Sequence, residues 1–129
     1  MILKEHQLRH LGSMKEEQFE ARLLRHVRRF FPGETRSLDR KALLGVCRFG
    51  TEKARAYGLR SERDLCKFIN LLFVFGLEFD TSPRFPWARR ILGKETVGPT
   101  LRVNRLYLEA LKHEAEGDGL FPTSPETSP

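Results

Sequence analysis

The sequence lacks a long apolar run, an export signal and a cysteine-rich framework. Its most apolar stretch, residues 68–77, is about half the ~20 residues that a membrane-spanning helix requires. The N-terminus has no basic segment followed by an apolar one and a small-residue cleavage site, so we expect a cytoplasmic, non-membrane protein. Its two cysteines, Cys47 and Cys66, fall inside predicted helices, and we expect them to be reduced core side chains.

Catalytic and metal-binding motifs are also missing. There is no G-x-S-x-G, P-loop, dinucleotide fingerprint or Cys/His signature, which predicts a protein that is not an enzyme and has no cofactor. Asp64, Glu78 and Asp80 would have to meet in space to form an acid–base site, yet Asp64 is more simply a helix cap and Asp80 a turn residue. His6 and His10 have metal-ligand spacing but no third ligand nearby, so no metal site is predicted.

The hydrophobic pattern is helical throughout, without repeats or credible strands. A chain of 129 residues with 40% hydrophobic residues has the size and the apolar surface of one domain. We therefore predict an all-α protein, a single compact bundle of about five helices around a central hydrophobic helix at 61–76. The helical domain would cover residues 1–116, and the Pro/Ser/Thr-rich residues 117–129 would form a disordered tail.

Helix ends are predicted from caps and breakers. A short helix at 3–11 should end at Gly12, and the capping-box spacing of Ser13 and Glu16 should start another, which Pro32-Gly33 stops. Ser37 or Asp39 can cap a helix that runs to Gly58, and Ser61 can cap the central helix. Pro86 permits a short helix through Ile91 or Leu92, and Pro99 suits the first turn of a last helix that ends near Glu116.

Two glycines interrupt the helix that precedes Gly58. Gly50 lies on its apolar stripe and Gly45 lies beside it, and each costs about 1 kcal/mol of helix propensity relative to alanine. Close approach of another helix would compensate for that cost.

Positive charge is concentrated in the first half of the chain. Residues 1–60 carry 14 Lys/Arg against 7 Asp/Glu, whereas residues 61–129 carry 9 against 10. The charge alone could attract an acidic protein, a membrane surface or the phosphates of nucleic acid. The candidate partner-binding residues on this basic helical face are Arg22, Arg25, Arg28 and Arg29.

Residues 54–72 resemble a helix-turn-helix superficially. A recognition helix needs a polar face for the major groove, and residues 68–75 offer only Asn70. Burial of this helix is the better interpretation. Any nucleic-acid binding would therefore use the arginines of the basic helical face to contact phosphates.

The segment from Phe79 to Trp87, here called the aromatic loop, follows the central helix and leads into the short helix that Pro86 permits. Packing of the loop onto the bundle is the favoured interpretation, because the rings are large and apolar. In the alternative, the rings face solvent and form an interface hot spot. That alternative makes Phe79, Phe85 and Trp87 candidate partner-binding residues.

Several short segments between residues 19 and 92 carry a family resemblance. They are 19–26, 28–32, 54–59, 61–65 and 75–80, with Pro86-Trp87-Ala88. In this order they resemble a group of small bacterial proteins encoded near spike, PAAR and toxin genes of type VI secretion systems. The resemblance implies a cytoplasmic protein that binds an effector or spike component before export, or that neutralises a toxin, and it supplies no catalytic residues.

The leading hypothesis is a protein-binding module, an adaptor or chaperone-like partner of a secreted effector or spike component. Nucleic-acid binding through the basic N-terminal half and a toxin-neutralising role are the alternatives.

Overall fold

The structure is a computed structural model that describes the backbone of residues 5–115 and the side chains of residues 15–113. Every regular element in this range is a helix, which confirms the all-α class. The side chains of His6 and His10 and the predicted tail lie outside the described residues. The helices are α1 (Glu5–Phe30), α2 (Pro32–Thr35), α3 (Arg40–Ala56), α4 (Glu62–Phe75), α5 (Pro86–Leu92) and α6 (Pro99–Ala115).

The helix break predicted at Gly12 is wrong. Helix α1 runs without interruption from Glu5 to Phe30, so Ser13 and Glu16 do not start a new helix. One glycine costs about 1 kcal/mol of helix propensity, which residues that favour helix on both sides can offset. Pro32 does end α1, and it also begins the one-turn helix α2, which the sequence did not predict.

The remaining helix ends follow the predicted signals. The backbone N–H of Ala42 donates to Asp39 Oδ1 at 2.7 Å, so Asp39 rather than Ser37 caps α3. The hydroxyl of Ser61 accepts from the backbone N–H of Asp64 at the start of α4. Gly76 ends α4 with a φ of 109°, a conformation that glycine adopts without the strain a Cβ would impose.

The chain divides into two compact units, and the division falls between Arg48 and Phe49 inside α3. The N-terminal unit is residues 1–48 and the C-terminal unit is residues 49–129. One helical domain over residues 1–116 therefore stays a prediction. Buried apolar side chains of the N-terminal unit come from α1, α3 and the residue before α2, and they include Phe19, Leu23, Leu24, Val27, Phe31, Leu43 and Cys47.

Helix α4 supplies more buried apolar side chains than any other helix in the described part of the C-terminal unit, where α6 packs against both α4 and α5. Its buried apolar residues are Leu65, Phe68, Ile69, Leu71 and Leu72. The end of α4 is different, since residues 73–75 are only half-buried. The predicted central helix is thus enclosed on a broad face rather than around its whole circumference.

Gly50 is the point at which α3 approaches α4. A Cβ on Gly50 would lie 2.6 Å from Leu72 Cδ1 and 3.0 Å from Ile69 Cγ1, whereas a Cβ on Gly45 would meet nothing within 4 Å. The compensation predicted for these glycines therefore holds for Gly50 and not for Gly45. Ile69 and Leu72 are themselves buried, so neither side chain has free space into which it can move.

The two glycines make a matched pair of substitutions. We expect Gly45→Ala to stabilise the protein by up to about 1 kcal/mol, because alanine has the higher helix propensity. Gly50→Ala should lower the free energy of unfolding by about 1–3 kcal/mol, because overpacking outweighs that gain. Urea unfolding measures both values. Equal effects of the two substitutions would contradict the close approach of α3 to α4.

Candidate interaction surfaces

The aromatic loop is packed and not exposed. Phe79, Phe85 and Trp87 are all buried, so the alternative of a solvent-facing hot spot is wrong. The ring of Phe79 lies 5.4 Å from that of Phe68, and Phe75 lies 5.0 Å from Phe85 and 5.3 Å from Trp87 in edge-on geometry. These contacts attach the loop to α4 by aromatic packing, which stabilises through both burial and ring geometry.

A polar network holds the start of this loop to α3. Lys53 Nζ donates to Asp80 Oδ1 at 2.7 Å, to the backbone oxygen of Leu77 at 2.8 Å and to Glu78 Oε2 at 3.0 Å. The hydroxyl of Tyr57 donates to the other carboxylate oxygen of Asp80 at 2.6 Å. Asp80 is only 2% exposed, so these donors satisfy a carboxylate that would be costly to bury alone.

Both donors of the network have a raised pKa and are held in their protonated forms. Burial lowers the pKa of Lys53, but hydrogen bonds to Asp80 and Glu78 outweigh that effect and leave the pKa above its ordinary value of 10.5. Burial raises the pKa of Tyr57 far above its ordinary value of 10.0, and the bond to Asp80 raises it further. A lysine held as an ammonium and a phenol held neutral are poorly suited to act as nucleophile or base.

The three carboxylates considered for chemistry do not meet at one site. Glu78 and Asp80 share Lys53, whereas Asp64 Oδ2 accepts from the hydroxyl of Thr100 at 2.5 Å. No group of three or more His, Cys, Asp or Glu side chains within the described range could hold a metal ion. The structural role of Asp80 goes beyond the predicted turn, because its carboxylate joins α3 to the loop.

Two charged residues, Asp64 in the first turn of α4 and Arg102 in the first turn of α6, are buried without any sequence signal that predicts it. Asp64 is buried with its Oδ1 atom unpaired. Arg102 is also buried, and it donates to the backbone oxygens of Leu92 at 2.8 Å and Tyr57 at 3.0 Å. Arginine provides several donors in a fixed plane, so one side chain ties α6 to the ends of α3 and α5. No local sequence signal distinguishes such an arginine from an exposed one.

The predicted arginines of α1 are exposed. Arg28 is the exception in role, because it donates to the backbone oxygens of Thr35 at 2.5 Å and Leu38 at 2.8 Å and so secures the turn after α2. The guanidinium of Arg29 lies 5.3 Å from the centre of the Phe30 ring. Arg25 and Arg29 are therefore the members of the predicted set that we consider best placed to meet a partner.

A second surface, the α6 leucine stripe, consists of Leu101, Leu108 and Leu111. Their exposed fractions are 49%, 65% and 53%, although the opposite face of α6 is buried through Val103, Leu106 and Ala110. Single exposed apolar residues are ordinary, but three on one helix face form a patch. Helical spacing alone separates these two apolar sets in the sequence, but it does not indicate which of them faces solvent.

A cleft of about 450 Å³ accompanies the stripe between α5 and α6. It is lined by Ile91, Arg105, Leu108, Glu109 and Lys112. Leu108 thus belongs to the stripe and to the cleft. Glu109 Oε2 lies 3.8 Å from Lys112 Nζ, and an exposed pair at that distance contributes little.

Comparisons with known proteins found no family model, no curated protein and no solved structure that matches this chain. None of the described helices combines the length and the apolar character that crossing a bilayer requires.

Tyrosine ionisation tests the Asp80 network. The chain has two tyrosines, and burial also raises the pKa of Tyr107. We therefore expect the near-ultraviolet absorbance of tyrosinate to appear well above pH 10.0 in the folded protein, and around that pH in denaturant. Since the folded state retains these protons and that of Lys53, the free energy of unfolding should fall as the pH rises above about 10.

Asp80→Asn should bring the pKa of Tyr57 down and leave that of Tyr107 in place, so that only one of the two ionisation steps moves. Glu95→Gln, at an exposed site, serves as the control. Full tyrosinate absorbance near pH 10 in the folded wild-type protein would contradict the network.

Proposed function

We propose that this protein is a protein-binding module, an adaptor or chaperone-like partner of a secreted effector or spike component, whose docking surface is the α6 leucine stripe. The observation that supports it is the exposure of three leucines on a helix whose opposite face already fills the core. The occupant we propose for the stripe is an amphipathic helix with acidic flanks.

The spacing of the leucines favours a helical occupant. Leu101 and Leu108 are seven residues apart, and Leu111 follows three residues later, which is the a and d spacing of a coiled-coil seam. A helix that carries apolar residues at the same spacing can insert them between these leucines. The cleft beside Leu108 and Ile91 adds a recess for one larger side chain.

The charge pattern favours an acidic partner over a second copy. Arg105 and Lys112 are also seven residues apart and flank the stripe on one side. In an antiparallel pair of α6 helices these cations would face each other, and in a parallel pair they would face Thr100 and Tyr107, neither of which is an acid. Glutamate or aspartate at the facing positions of another protein would pair with both cations.

The exposed arginines of α1 contribute to this proposal through long-range attraction. Exposed charges change association rates and their salt dependence more than they change the lifetime of a complex. The resemblance to proteins encoded near type VI secretion genes supports an exported effector or spike component as the source of the helix.

A peptide experiment tests the docking surface. One designed helix carries leucine at the a and d positions and glutamate at e and g, and its matched peptide carries lysine at e and g. We expect the acidic peptide to bind about tenfold more tightly or better, and to lose that affinity with Leu108→Ser/Leu111→Ser, because the apolar contacts disappear. Fluorescence anisotropy measures both dissociation constants.

Leu77→Ser is the matched control, since Leu77 is an exposed leucine of the same unit outside the stripe. Equal binding of the two peptides, or an equal loss with Leu77→Ser, would contradict the proposal. Self-association that Leu108→Ser/Leu111→Ser abolishes would assign the stripe to a second copy. DNA binding that depends on Arg25 and Arg29 would favour the nucleic-acid alternative.

The cellular partner is a separate question. A photo-crosslinking residue at position 108, expressed in bacteria with a type VI secretion system, should form adducts with an exported effector or spike component. Adducts with the same proteins from position 77 would show that the capture is nonspecific.

A further inference from the structure

A basic cleft lies on α5, away from the residues that form the α6 leucine stripe. It has a volume of about 520 Å³ and is lined by Ser82, Pro83, Pro86, Arg89, Arg90, Gly93 and Lys94. Small-molecule sites fall in the range of about 300–1,000 Å³. The cleft is therefore large enough for a small ligand, and the cations around it indicate the charge of that ligand.

The three cations of this cleft have no acidic partner among the side chains that the structure describes. Within the described residues, Arg89, Arg90 and Lys94 make no side-chain hydrogen bond or ion pair. Other cations of this unit are engaged, as Lys53 is with Asp80 and Arg102 is with backbone oxygens. Glu95 is the nearest acid along the chain, and it is not among the residues that line the cleft.

Besides the cations, the walls of the cleft provide two prolines and one serine hydroxyl. Pro83 and Pro86 restrict the backbone on one side. The hydroxyl of Ser82 accepts from the backbone N–H of Arg84 at 3.1 Å, which leaves its own proton available for donation to an oxyanion. Pro86 has no N–H to offer, and the backbone N–H of Ala88 already donates to the backbone oxygen of Phe85, so we assign anion binding to the side chains.

We propose that this cleft binds the oligophosphate group of a small molecule. Two guanidinium groups can each form paired hydrogen bonds to phosphate oxygens, and the lysine adds a third positive charge. Three phosphates linked in a row would match three cations that lie within six residues of the chain. The site is separate from the one proposed for protein docking, so either can exist without the other.

Isothermal titration at low salt tests this site with inorganic tripolyphosphate, ATP and adenosine. We expect tripolyphosphate and ATP to bind and adenosine not to bind, since the phosphates carry the recognition. Arg89→Gln/Arg90→Gln should weaken both phosphate ligands about tenfold or more, and Lys94→Gln should weaken them by a smaller factor. Circular dichroism checks that these exposed substitutions leave the helices intact.

A charge-matched control separates a built site from the general attraction of a basic protein. Arg25→Gln/Arg29→Gln removes the same two charges from α1, and we expect it to change the affinity about twofold or less. An equal loss in both double variants would overturn the proposal in favour of diffuse attraction. Failure of tripolyphosphate to bind, or adenosine binding as well as ATP, would also overturn it.

Discussion

Burial of the apolar face of α4 is the constraint on which the C-terminal unit depends. Phe68 and Ile69 are completely buried, and each element of the unit that we describe is attached to this helix or to α6 beside it. Helix α3 reaches α4 through Gly50, and the aromatic loop reaches it through Phe79 and Phe75. Because the most apolar helix is used to form the core, recognition is left to other surfaces.

Those surfaces differ in kind. The α6 leucine stripe is apolar with cations on one side, the α5 cleft is cationic with prolines on one side, and the face of α1 carries arginines. Apolar spacing selects for another helix, whereas unpaired guanidinium groups select for oxyanions. The two proposals thus assign a protein partner and a phosphorylated ligand to distinct surfaces of one small helical protein.

The helix ends that the sequence predicted best are those determined by interactions among a few neighbouring residues. Ser61, Asp39, Pro86 and Pro99 mark helix starts through hydrogen bonds and backbone geometry that act over a few residues. The break at Gly12 was wrong because a weak helix former is not by itself a terminator. The sequence does not predict the one-turn helix α2, because a proline that ends one helix is equally suited to the first turn of the next, as Pro32 is.

The surfaces were harder to predict, since they depend on which residues meet in space. Periodicity found two apolar sets on α6, yet only packing determined that Leu108 faces solvent and Leu106 does not. Summing the charge of residues 61–129 hid the cations at 84–94, because acids at 114, 116, 118 and 126 cancel them. Burial of Arg102 is likewise a property of its neighbours and has no sequence signature.

Native-state hydrogen exchange tests the enclosure of α4 most directly. The account predicts that amides of residues 65–72 exchange only when the C-terminal unit unfolds as a whole, with the free energy that denaturant unfolding gives. Exchange of these amides as fast as those of the exposed residues Arg89 and Arg90 would contradict it, because a helix that opens locally cannot be the core of the unit.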